Sequence, residues 1–446
     1  MFRYFSFFAL VVWSTACTKT KIVDPETEES NGRKAQKVAY YTPVYAQPNE
    51  GLLKVQVTPP KAYTKTGKII TYENYIFINE PLEGIHVVDN SNPEAPENIA
   101  FITVKGNIDM TIVDGFLYAD MFSALIVLDI RELANAQLIE DFTVDQVFDY
   151  DPYWAFEYAE ETQAYEYVRI DSVDHSKGIV VDWEIEIRWE YINDKIDFGI
   201  WLGAMRYDDT NAALDAVTEA SGAPNISQAG SLTRFLPVDG ALYALNRWEL
   251  ILFKINEQHQ PERFGKTNTE VNAETLFRLN DLMFIGATSG MQMYDISDPF
   301  NPKFLNQINH FRSCDPVVAD DTYAYVTLRG GTNCFTTDNE LQIIRIDNPQ
   351  ELKVVGRQLL FNPHGLAVYG DHVLVCDGTA GIKVVDVSDR NQPKVLETYP
   401  IPFAYDVILN YPSAVVIGEG KLYQYDLSEL PKLILISEKD AKTAVR

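Results

Sequence analysis

Residues 381–393, GIKVVDVSDRNQP, form the stretch of sequence that decides the fold. The same pattern recurs as GIHVVDNSNPEAP at 84–96 and as GMQMYDISDPFNP at 290–302. Each copy has a glycine, a short apolar run, an Asp-x-Ser group and a closing proline. A run of this length followed by turn-forming residues is typical of a short β-strand. Its recurrence predicts an architecture built from structural repeats.

Weaker copies of the stretch lie at 124–130, 250–256, 341–349 and 421–428. The aligned turn residues are Asp89, Asp129, Asn256, Asp295, Asp347, Asp386 and Asp426, with spacings of 40, 127, 39, 52, 39 and 40 residues. The period is therefore close to 40, and each period holds four short apolar runs. Four strands per period of this length indicate a β-propeller blade. We predict an all-β, seven-bladed β-propeller, with six or eight blades as open alternatives.

The repeats resemble those of the LVIVD-repeat family of bacterial propeller proteins. The resemblance rests on GIHVVD at 84–89, on the Asp-x-Ser-x-Pro turn and on SCDPVVADDTYAYVTLR at 313–329. It covers 61–438 apart from one large insertion. It departs from the pattern at Asn256 and in the seventh copy, which lacks the Pro-x-x-Pro spacing. The resemblance implies a propeller over 61–438, a fold that hosts both binding proteins and enzymes.

The repeated aspartates have two interpretations. A series of carboxylates invites a calcium-binding or catalytic role. An aspartate that begins Asp-x-Ser-x-Pro also accepts hydrogen bonds from nearby backbone N–H groups and so stabilises the turn. The sequence favours the structural role in the turn.

The N-terminus has the pattern of an export signal. Arg3 precedes an apolar run of about ten residues, which is too short to span a bilayer. Residues 14–17, STAC, resemble a bacterial lipobox, although Ser14 replaces the usual leucine, as in the looser boxes of Bacteroidetes-type bacteria. We predict a signal peptide at 1–16, a lipidated Cys17 with a flexible polar tether over 17–60, and a short tail at 439–446. An ordinary secretory signal is the alternative.

Three further cysteines follow Cys17 in the chain. Export would place them in an oxidising compartment, where disulfides form. Cys314 opens the first strand of the fifth repeat, and Cys334 lies in the loop after its second strand, at the same end of the predicted blade. We therefore predict a Cys314–Cys334 disulfide. Cys376 lies in an apolar strand and is expected to be a buried free thiol.

Titratable residues precede the predicted innermost strands of several blades. Such positions line the mouth of a propeller's central channel. They include Asp109, Asp315, His364 and Asp406. Carboxylate and imidazole groups are ordinary metal ligands, so these four form a candidate ligand site for a cation. The alternative is that they cap turns and bind the backbone of neighbouring blades. Residues at the ends of the second strands should rim the same face: Asp120, Arg247, Arg329 and Asp377.

The insertion over 145–230 carries no repeat text. It holds 19 acidic and 5 basic residues, a net charge of −14. Residues 181–191 alternate between an apolar face and a mostly acidic face, which predicts a strand within a mainly-β subdomain. Residues 212–220 predict a short helix. The four tryptophans of the insertion form a candidate interaction surface: Trp154, Trp183, Trp189 and Trp201. For Trp183 and Trp189, the alternative role is in the core of the subdomain itself.

The composition and the missing motifs bound the function. A net charge of −27 and a pI near 4.6 make nucleic-acid binding improbable. The sequence has no P-loop, no Gly-x-Ser-x-Gly, no His-Glu-x-x-His and no paired Cys-x-x-Cys. We predict a non-enzymatic, lipid-anchored protein of the outer membrane, at the cell surface rather than on the periplasmic side. It would be an interaction scaffold for another envelope protein, as in an outer-membrane complex. The alternatives are a glycan-binding surface lipoprotein and a metal-assisted hydrolase at the channel mouth; no cofactor other than such a cation is expected.

Overall fold

A computed structural model describes residues 21–23, 36–47, 53–133, 137–144, 147–148, 167–190, 228–269, 271–287, 289–309, 316–330 and 339–440. Within these ranges the chain forms β-strands, numbered here along the chain, and a 3-10 turn at His175–Lys177. The chain divides into two compact units. The first comprises Met1–Tyr45 and Tyr150–Glu219, and the second Ala46–Asp149 and Ala220–Arg446.

No helix that is long and apolar enough to cross a membrane is found in the described ranges.

The first unit contains one four-stranded sheet. Its strands are β1 (Lys21–Val23), β2 (Gln36–Ala46), β12 (Tyr167–Ile170) and β13 (Ile179–Glu190), in the order β1-β13-β2-β12. β1 runs parallel to β13, and β2 runs parallel to β12. Segments before the repeats and segments within the insertion therefore build one sheet together.

The strand predicted over 181–191 is present as β13. Its apolar face is buried, with Val181, Trp183, Ile185 and Ile187 all below 9% exposed. The opposite face is acidic and more exposed. The alternation in the sequence thus predicted both the strand and the side that it buries.

Part of the segment predicted to be a flexible tether is a strand instead. Residues Gln36–Ala46 form β2, and Val38, Ala39 and Tyr41 are buried there. β-Branched and aromatic residues favour a half-buried strand once a partner sheet is present. The partner strands lie more than a hundred residues further along the chain, so the local composition of 17–60 gave no sign of them.

The second unit contains seven sheets among its described residues. The first sheet has six strands, in the order β14-β4-β5-β6-β7-β3. Their bounds are β3 (Gln56–Thr58), β4 (Ile69–Tyr72), β5 (Tyr75–Glu80), β6 (Gly84–Asp89), β7 (Glu97–Thr103) and β14 (Gln228–Ala229). The second sheet is β8 (Met110–Val113), β9 (Phe116–Met121), β10 (Ala124–Asp129) and β11 (Gln137–Val144).

The other five sheets each have four consecutive antiparallel strands. The third is β15 (Phe235–Val238), β16 (Ala241–Asn246), β17 (Glu249–Ile255) and β18 (Pro261–Asn268). The fourth is β19 (Ala273–Leu279), β20 (Leu282–Ala287), β21 (Gly290–Asp295) and β22 (Lys303–Asn309). The fifth is β23 (Val317–Ala319), β24 (Tyr323–Leu328), β25 (Glu340–Arg345) and β26 (Lys353–Leu359). The sixth is β27 (Leu366–Tyr369), β28 (His372–Cys376), β29 (Ile382–Asp386) and β30 (Lys394–Tyr399). The seventh is β31 (Asp406–Asn410), β32 (Ser413–Gly418), β33 (Lys421–Asp426) and β34 (Ile434–Asp440).

In every sheet of the second unit, the strand after the repeated aspartate turn carries a bulge where it pairs with the strand before that turn. The shifts fall at Val87/Val88, Ile126/Leu128, Leu252/Phe253, Met293/Tyr294, Ile343/Ile344, Val384/Val385 and Gln424/Tyr425. A bulge bends and twists an outer strand, which makes it a poor template for pairing with another chain.

The hydrophobic core of the second unit lies between consecutive sheets. From the second sheet to the seventh, each sheet is joined to the next by its own hydrophobic cluster. A further cluster joins the seventh sheet to the first, with Ile408 and Val415 against Ile69 and Ile78. The first strands of the sheets also contact one another in sequence, and β31 of the seventh sheet contacts β4 of the first.

The turn role of the repeated aspartates is confirmed. In four repeats the Oδ1 atom accepts a hydrogen bond from the backbone N–H of the serine two residues later: Asp89–Ser91 at 2.8 Å, Asp295–Ser297 at 2.9 Å, Asp386–Ser388 at 2.9 Å and Asp426–Ser428 at 2.8 Å. Hydrogen bonds from the serine hydroxyl and amide lower the pKa of Asp89, Asp295 and Asp386. The turns are therefore weakened as the pH falls through these lowered pKa values.

Candidate functional site

A short segment that follows the insertion contacts the first strands of several sheets. We call residues 228–235 the return segment. Its strand β14 pairs with β4 of the first sheet, Gln228 opposite Thr71 and Ala229 opposite Ile70. Ser231 Oγ accepts the backbone N–H of Leu366 in the sixth sheet at 2.9 Å. Five of the seven sheets meet this segment directly, since it also bonds to the second and fourth sheets and abuts the seventh.

Two carboxylates and two cationic side chains form a buried network beside the return segment. Lys68 Nζ donates to Asp109 Oδ2 at 2.9 Å, and Arg234 Nη2 donates to Asp120 Oδ2 at 2.7 Å. The backbone N–H of Arg234 also donates to Asp109 Oδ2. All four residues are at most 9% exposed. Their formal charges cancel, as buried charges require.

Backbone groups complete the network around the two carboxylates. Asp120 Oδ1 accepts the backbone N–H groups of Ile108 at 2.7 Å and Asp109 at 2.9 Å. Asp109 Oδ1 accepts the backbone N–H of Met110 at 2.7 Å. Burial raises the pKa of Asp120, although Arg234 opposes the shift. Burial lowers the pKa of Lys68, against the attraction of Asp109.

Asp406 is a third buried carboxylate, and one of its oxygen atoms has no hydrogen bond. It is 1% exposed; its Oδ1 accepts the Val407 N–H at 2.9 Å, and its Oδ2 makes no hydrogen bond. Burial raises the pKa of Asp406 to about 7, although the Val407 amide and Lys68 act to lower it.

Two glycines enclose the Asp406 carboxyl group. A Cβ atom added to Gly230 would lie 2.3 Å from its Oδ2, and one added to Gly365 would lie 2.3 Å from its Oδ1. Gly230 belongs to the return segment, so the backbone of that segment covers Asp406 at a distance that only glycine allows.

The expectation that His364 occupies the same blade position as Asp109 and Asp406 is wrong by one residue. Backbone pairing places Asp109 at the same register position as Lys68, Arg234, Gly365 and Asp406. Each of these residues pairs with the equivalent residue of the second strand in its own sheet. His364 comes one residue earlier, and side chains alternate along an extended chain. The first strands thus present Lys68 and Arg234, rather than the imidazole, beside the two aspartates.

His364 has its own buried surroundings. Arg329 Nη1 lies 2.7 Å from its Nδ1, and the ring packs against Phe403 and Tyr405. A guanidinium only donates hydrogen bonds, so Nδ1 is the acceptor and the ring is neutral. Burial lowers the pKa of His364 to about 3, and the Arg329 charge adds to the shift.

We expect the His364 ring to stay neutral from pH 8 down to pH 5. The physical reason is that a charged imidazolium would be buried beside Arg329. NMR of the imidazole C–H resonances across this range should show no titration of His364 in the folded protein. The same resonance in urea should titrate near the usual histidine value of about 6.5, which controls for assignment. A native midpoint above pH 6 would contradict the arrangement.

Cys376 is a buried free thiol, as predicted, with 0% exposure. Burial raises the pKa of the thiol well above its ordinary value, and Asp406 and Asp377 add to the shift. The thiolate is the reactive form, so Cys376 should resist alkylation in the native protein. Peptide mapping after iodoacetamide treatment should find Cys376 modified only in denaturant. Rapid native labelling would show that the sixth sheet opens easily.

Several predicted residues lie outside the described ranges: Cys17, Cys314, Cys334, Asp315, Trp154 and Trp201. The lipidation, the disulfide and one member of the candidate ligand site therefore stay predictions, as does the helix over 212–220. Within the described ranges, no group of three or more His, Cys, Asp or Glu side chains is arranged to hold a metal ion.

The two central tryptophans of the insertion differ in burial. Trp183 is 2% exposed in the first unit, and Trp189 is half-buried on the same strand. Trp183 therefore serves the core of its own sheet. Val147 and Phe148, placed in the insertion by the sequence, pack instead in the core between the second and third sheets.

Sequence reasoning missed Lys68, Arg234 and Gly230. Lys68 precedes the first strand of the first repeat, a position that the list of channel-mouth residues left out. Arg234 likewise directly precedes β15, the first strand of the third sheet, and was not among the predicted channel-mouth residues. Counting back from the second strand of each repeat would have found both, since the pairing register fixes the position.

Comparisons with known proteins agree on the fold. A family model described as LVIVD repeat matches 65–103 and 363–400, in the first and sixth repeats. A search of curated protein sequences finds no match. A solved structure of a protein from Lactobacillus plantarum is 11% identical, with a TM-score of 0.51 over 84% of this chain and 97% of that one.

Two other solved structures are more distant. Sqt1 of Saccharomyces cerevisiae is 10% identical, with a TM-score of 0.46 over 91% of this chain and 87% of that one. The periplasmic gluconolactonase of Pseudomonas aeruginosa is 11% identical, with a TM-score of 0.37 over 46% of this chain and 70% of that one. The chain thus carries LVIVD repeats and has an all-β, propeller-like fold.

Proposed function

We propose that the second unit is a closed, seven-bladed β-propeller. Two observations support closure: a hydrophobic cluster joins the seventh sheet to the first, and the return segment contacts five of the seven sheets. Sheets that all contact one short segment are expected to be arranged around it. Asn90 and Gln424 add paired side-chain hydrogen bonds of 3.1 and 2.7 Å between the first and seventh sheets.

We further propose that this propeller is a non-enzymatic scaffold, anchored to the outer membrane through Cys17 and exposed at the cell surface, which binds another envelope protein. The observation that carries the proposal is that the buried carboxylates beside the return segment already have cationic partners within the protein. Asp109 and Asp120 are neutralised by Lys68 and Arg234 inside the protein. Carboxylates held in this way are committed to partners inside the protein and are not available to a substrate.

Exposed apolar side chains supply a binding surface on the loops. Trp248, in the turn between β16 and β17, is 47% exposed; Leu359 and Phe361, at the end of β26 and in the loop before β27, are 71% and 61% exposed. In a propeller both connections lie on the face where the first strands begin. Aromatic side chains on loops of a rigid scaffold are typical anchors of protein interfaces.

Photo-crosslinking in the native envelope tests this surface. A crosslinking amino acid placed at Trp248 or at Phe361 should capture the same partner. The matched control is Phe304, which is 51% exposed but lies on an outer strand; it should not capture that protein. Absence of a shared adduct at 248 and 361 would contradict the proposal.

The metal-assisted hydrolase is the weaker alternative. It would need Asp109 and Asp406 as free ligands, yet Asp109 already accepts from Lys68 and Arg234. Metal analysis of the purified full chain tests it, since a stoichiometric, chelator-sensitive metal would restore it. The glycan-binding alternative draws support from a different pair of sheets, which carry an exposed aromatic pair.

A further inference from the structure

Two tyrosines on adjacent sheets form an exposed stacked pair. Tyr369 ends β27 of the sixth sheet, and Tyr411 lies in the turn between β31 and β32 of the seventh. Their ring centroids are 5.3 Å apart and their planes differ by 20°. Tyr369 is 37% exposed and Tyr411 is 65% exposed. Such large aromatic surfaces are usually buried, so a pair left open to water suggests a ligand.

A polar pocket adjoins the pair on the other side of β27. Its volume is about 470 Å³, it is shallow and open to solvent, and its walls come from the fifth and sixth sheets. Val368 and Gly370, on either side of Tyr369, line the pocket. Four residues that offer hydrogen bonds also line it: Asp320, Thr322, Asp371 and Arg390. Successive side chains of a strand point to opposite sides, so the pocket and the tyrosine pair flank the same strand end.

Arg390 is a feature that the repeat does not require. The repeat has proline at this position in 84–96 and 290–302, whereas the sixth copy has arginine. Its guanidinium bonds to Asp371 and lies 3.7 Å from Asp320 Oδ2, and its Nε has no hydrogen-bond partner. Arg390 is thus held at the pocket wall by two carboxylates, with 18% of its side chain exposed.

We propose that the stacked Tyr369–Tyr411 pair and the adjoining pocket form a binding site for a neutral oligosaccharide. The flat C–H face of a pyranose stacks on an exposed aromatic ring, and its hydroxyls both donate and accept hydrogen bonds. The pocket offers carboxylates as acceptors and Arg390 as donor. Three acidic residues, Asp320, Asp321 and Asp371, outnumber this one arginine, so the site disfavours acidic sugars.

The ring geometry favours a sugar over a proline-rich peptide. Peptides in the polyproline II conformation dock in grooves between aromatic rings. Here the two rings lie nearly parallel against each other and leave no groove between them, while Tyr411 presents a broad exposed surface. This site uses none of the loop residues proposed for the envelope partner, so the two proposals fail or succeed independently.

Calorimetric titration of the purified full chain tests the site. The probes are maltohexaose, cellohexaose, xylohexaose, mannohexaose and chitohexaose, with decaproline as the peptide probe. One neutral hexasaccharide should bind with one-to-one stoichiometry. Tyr411→Ala should weaken that binding by about tenfold, since it removes the stacking surface. Tyr411→Phe keeps the ring and should bind within about twofold of the original protein.

Two controls separate binding from folding. Phe304→Ala removes an equally exposed ring from an outer strand and should leave affinity unchanged. Circular dichroism and the urea midpoint should be the same for Tyr411→Ala as for the original protein, because the side chain is exposed. Failure of every hexasaccharide to bind, binding that Tyr411→Ala does not weaken, or binding of decaproline alone would each overturn the proposal.

Discussion

Asp109→Ala should lower the free energy of unfolding by about 3–5 kcal/mol, the usual loss when one partner of a buried ion pair is removed. The carboxylate accepts from Lys68 Nζ and from the backbone N–H of Arg234, so its removal leaves a buried ammonium group and a buried amide unsatisfied. The loss should appear as a lower urea midpoint by circular dichroism at pH 7.5. Lys68→Met in the same background should recover part of it, because the uncompensated charge is then gone.

Asp386→Ala is the matched control, because that carboxylate serves an exposed turn rather than the buried network. It should shift the midpoint far less. Two results would show that Asp109 has a different role. One is a midpoint unchanged by Asp109→Ala. The other is an original protein that loses the same stability on treatment with a chelator, as expected if Asp109 held a cation.

Asp406→Asn should stabilise the protein at pH 8 by on the order of 2–4 kcal/mol and leave its stability at pH 4 nearly unchanged. The pKa of Asp406 is raised to about 7 in the folded state, above the ordinary aspartate value. Between these two values the folded state holds a proton that the unfolded chain has released. Stability therefore falls as the pH rises from about 4 to about 7, and asparagine, which imitates the neutral acid, removes this loss.

His364 gives the opposite pH dependence, so the two residues partly mask each other. Its pKa is lowered to about 3, and the unfolded chain therefore binds a proton first as the pH falls below about 6.5. Its contribution to stability is lost towards acid. Urea midpoints from pH 4 to pH 8 should fall less steeply with rising pH in the original protein than in His364→Gln. In Asp406→Asn they should instead rise with pH. The charged neighbours that face Asp406, Lys68 and Asp109, are retained in both variants. A profile of Asp406→Asn that matches the original protein would contradict the assignment.

The repeat made most of the fold predictable. Its glycine, apolar run and Asp-x-Ser turn are local, and they fixed the strand periods, the turns around Asp89 and Asp386, and the buried Cys376. The alternation over 181–191 likewise predicted β13 and its buried face. These features depend on neighbours within a few residues, which a single sequence displays.

The features that could not be predicted depend on contacts between segments far apart in the sequence. No pattern within 36–46 indicates a partner strand in the insertion. Likewise, no local pattern predicts a return segment that contacts five sheets. Asp109 and Asp406 share one register position, but the candidate ligand site placed His364 one residue out of register and left out Lys68 and Arg234. The charges that decide whether a carboxylate is a ligand or a structural partner come from distant parts of the chain.

The parallel pairing of Lys21–Val23 with β13 limits how far the protein can stand from a bilayer. Only three residues separate Cys17 from Lys21. Even fully extended, these four peptide steps reach about 14 Å. If Cys17 carries the proposed lipid, the edge of the first unit's sheet lies within about that distance of the lipid headgroups. So short a connection would orient the sheet relative to the membrane, whereas a flexible tether over all of 17–60 would let it reorient freely.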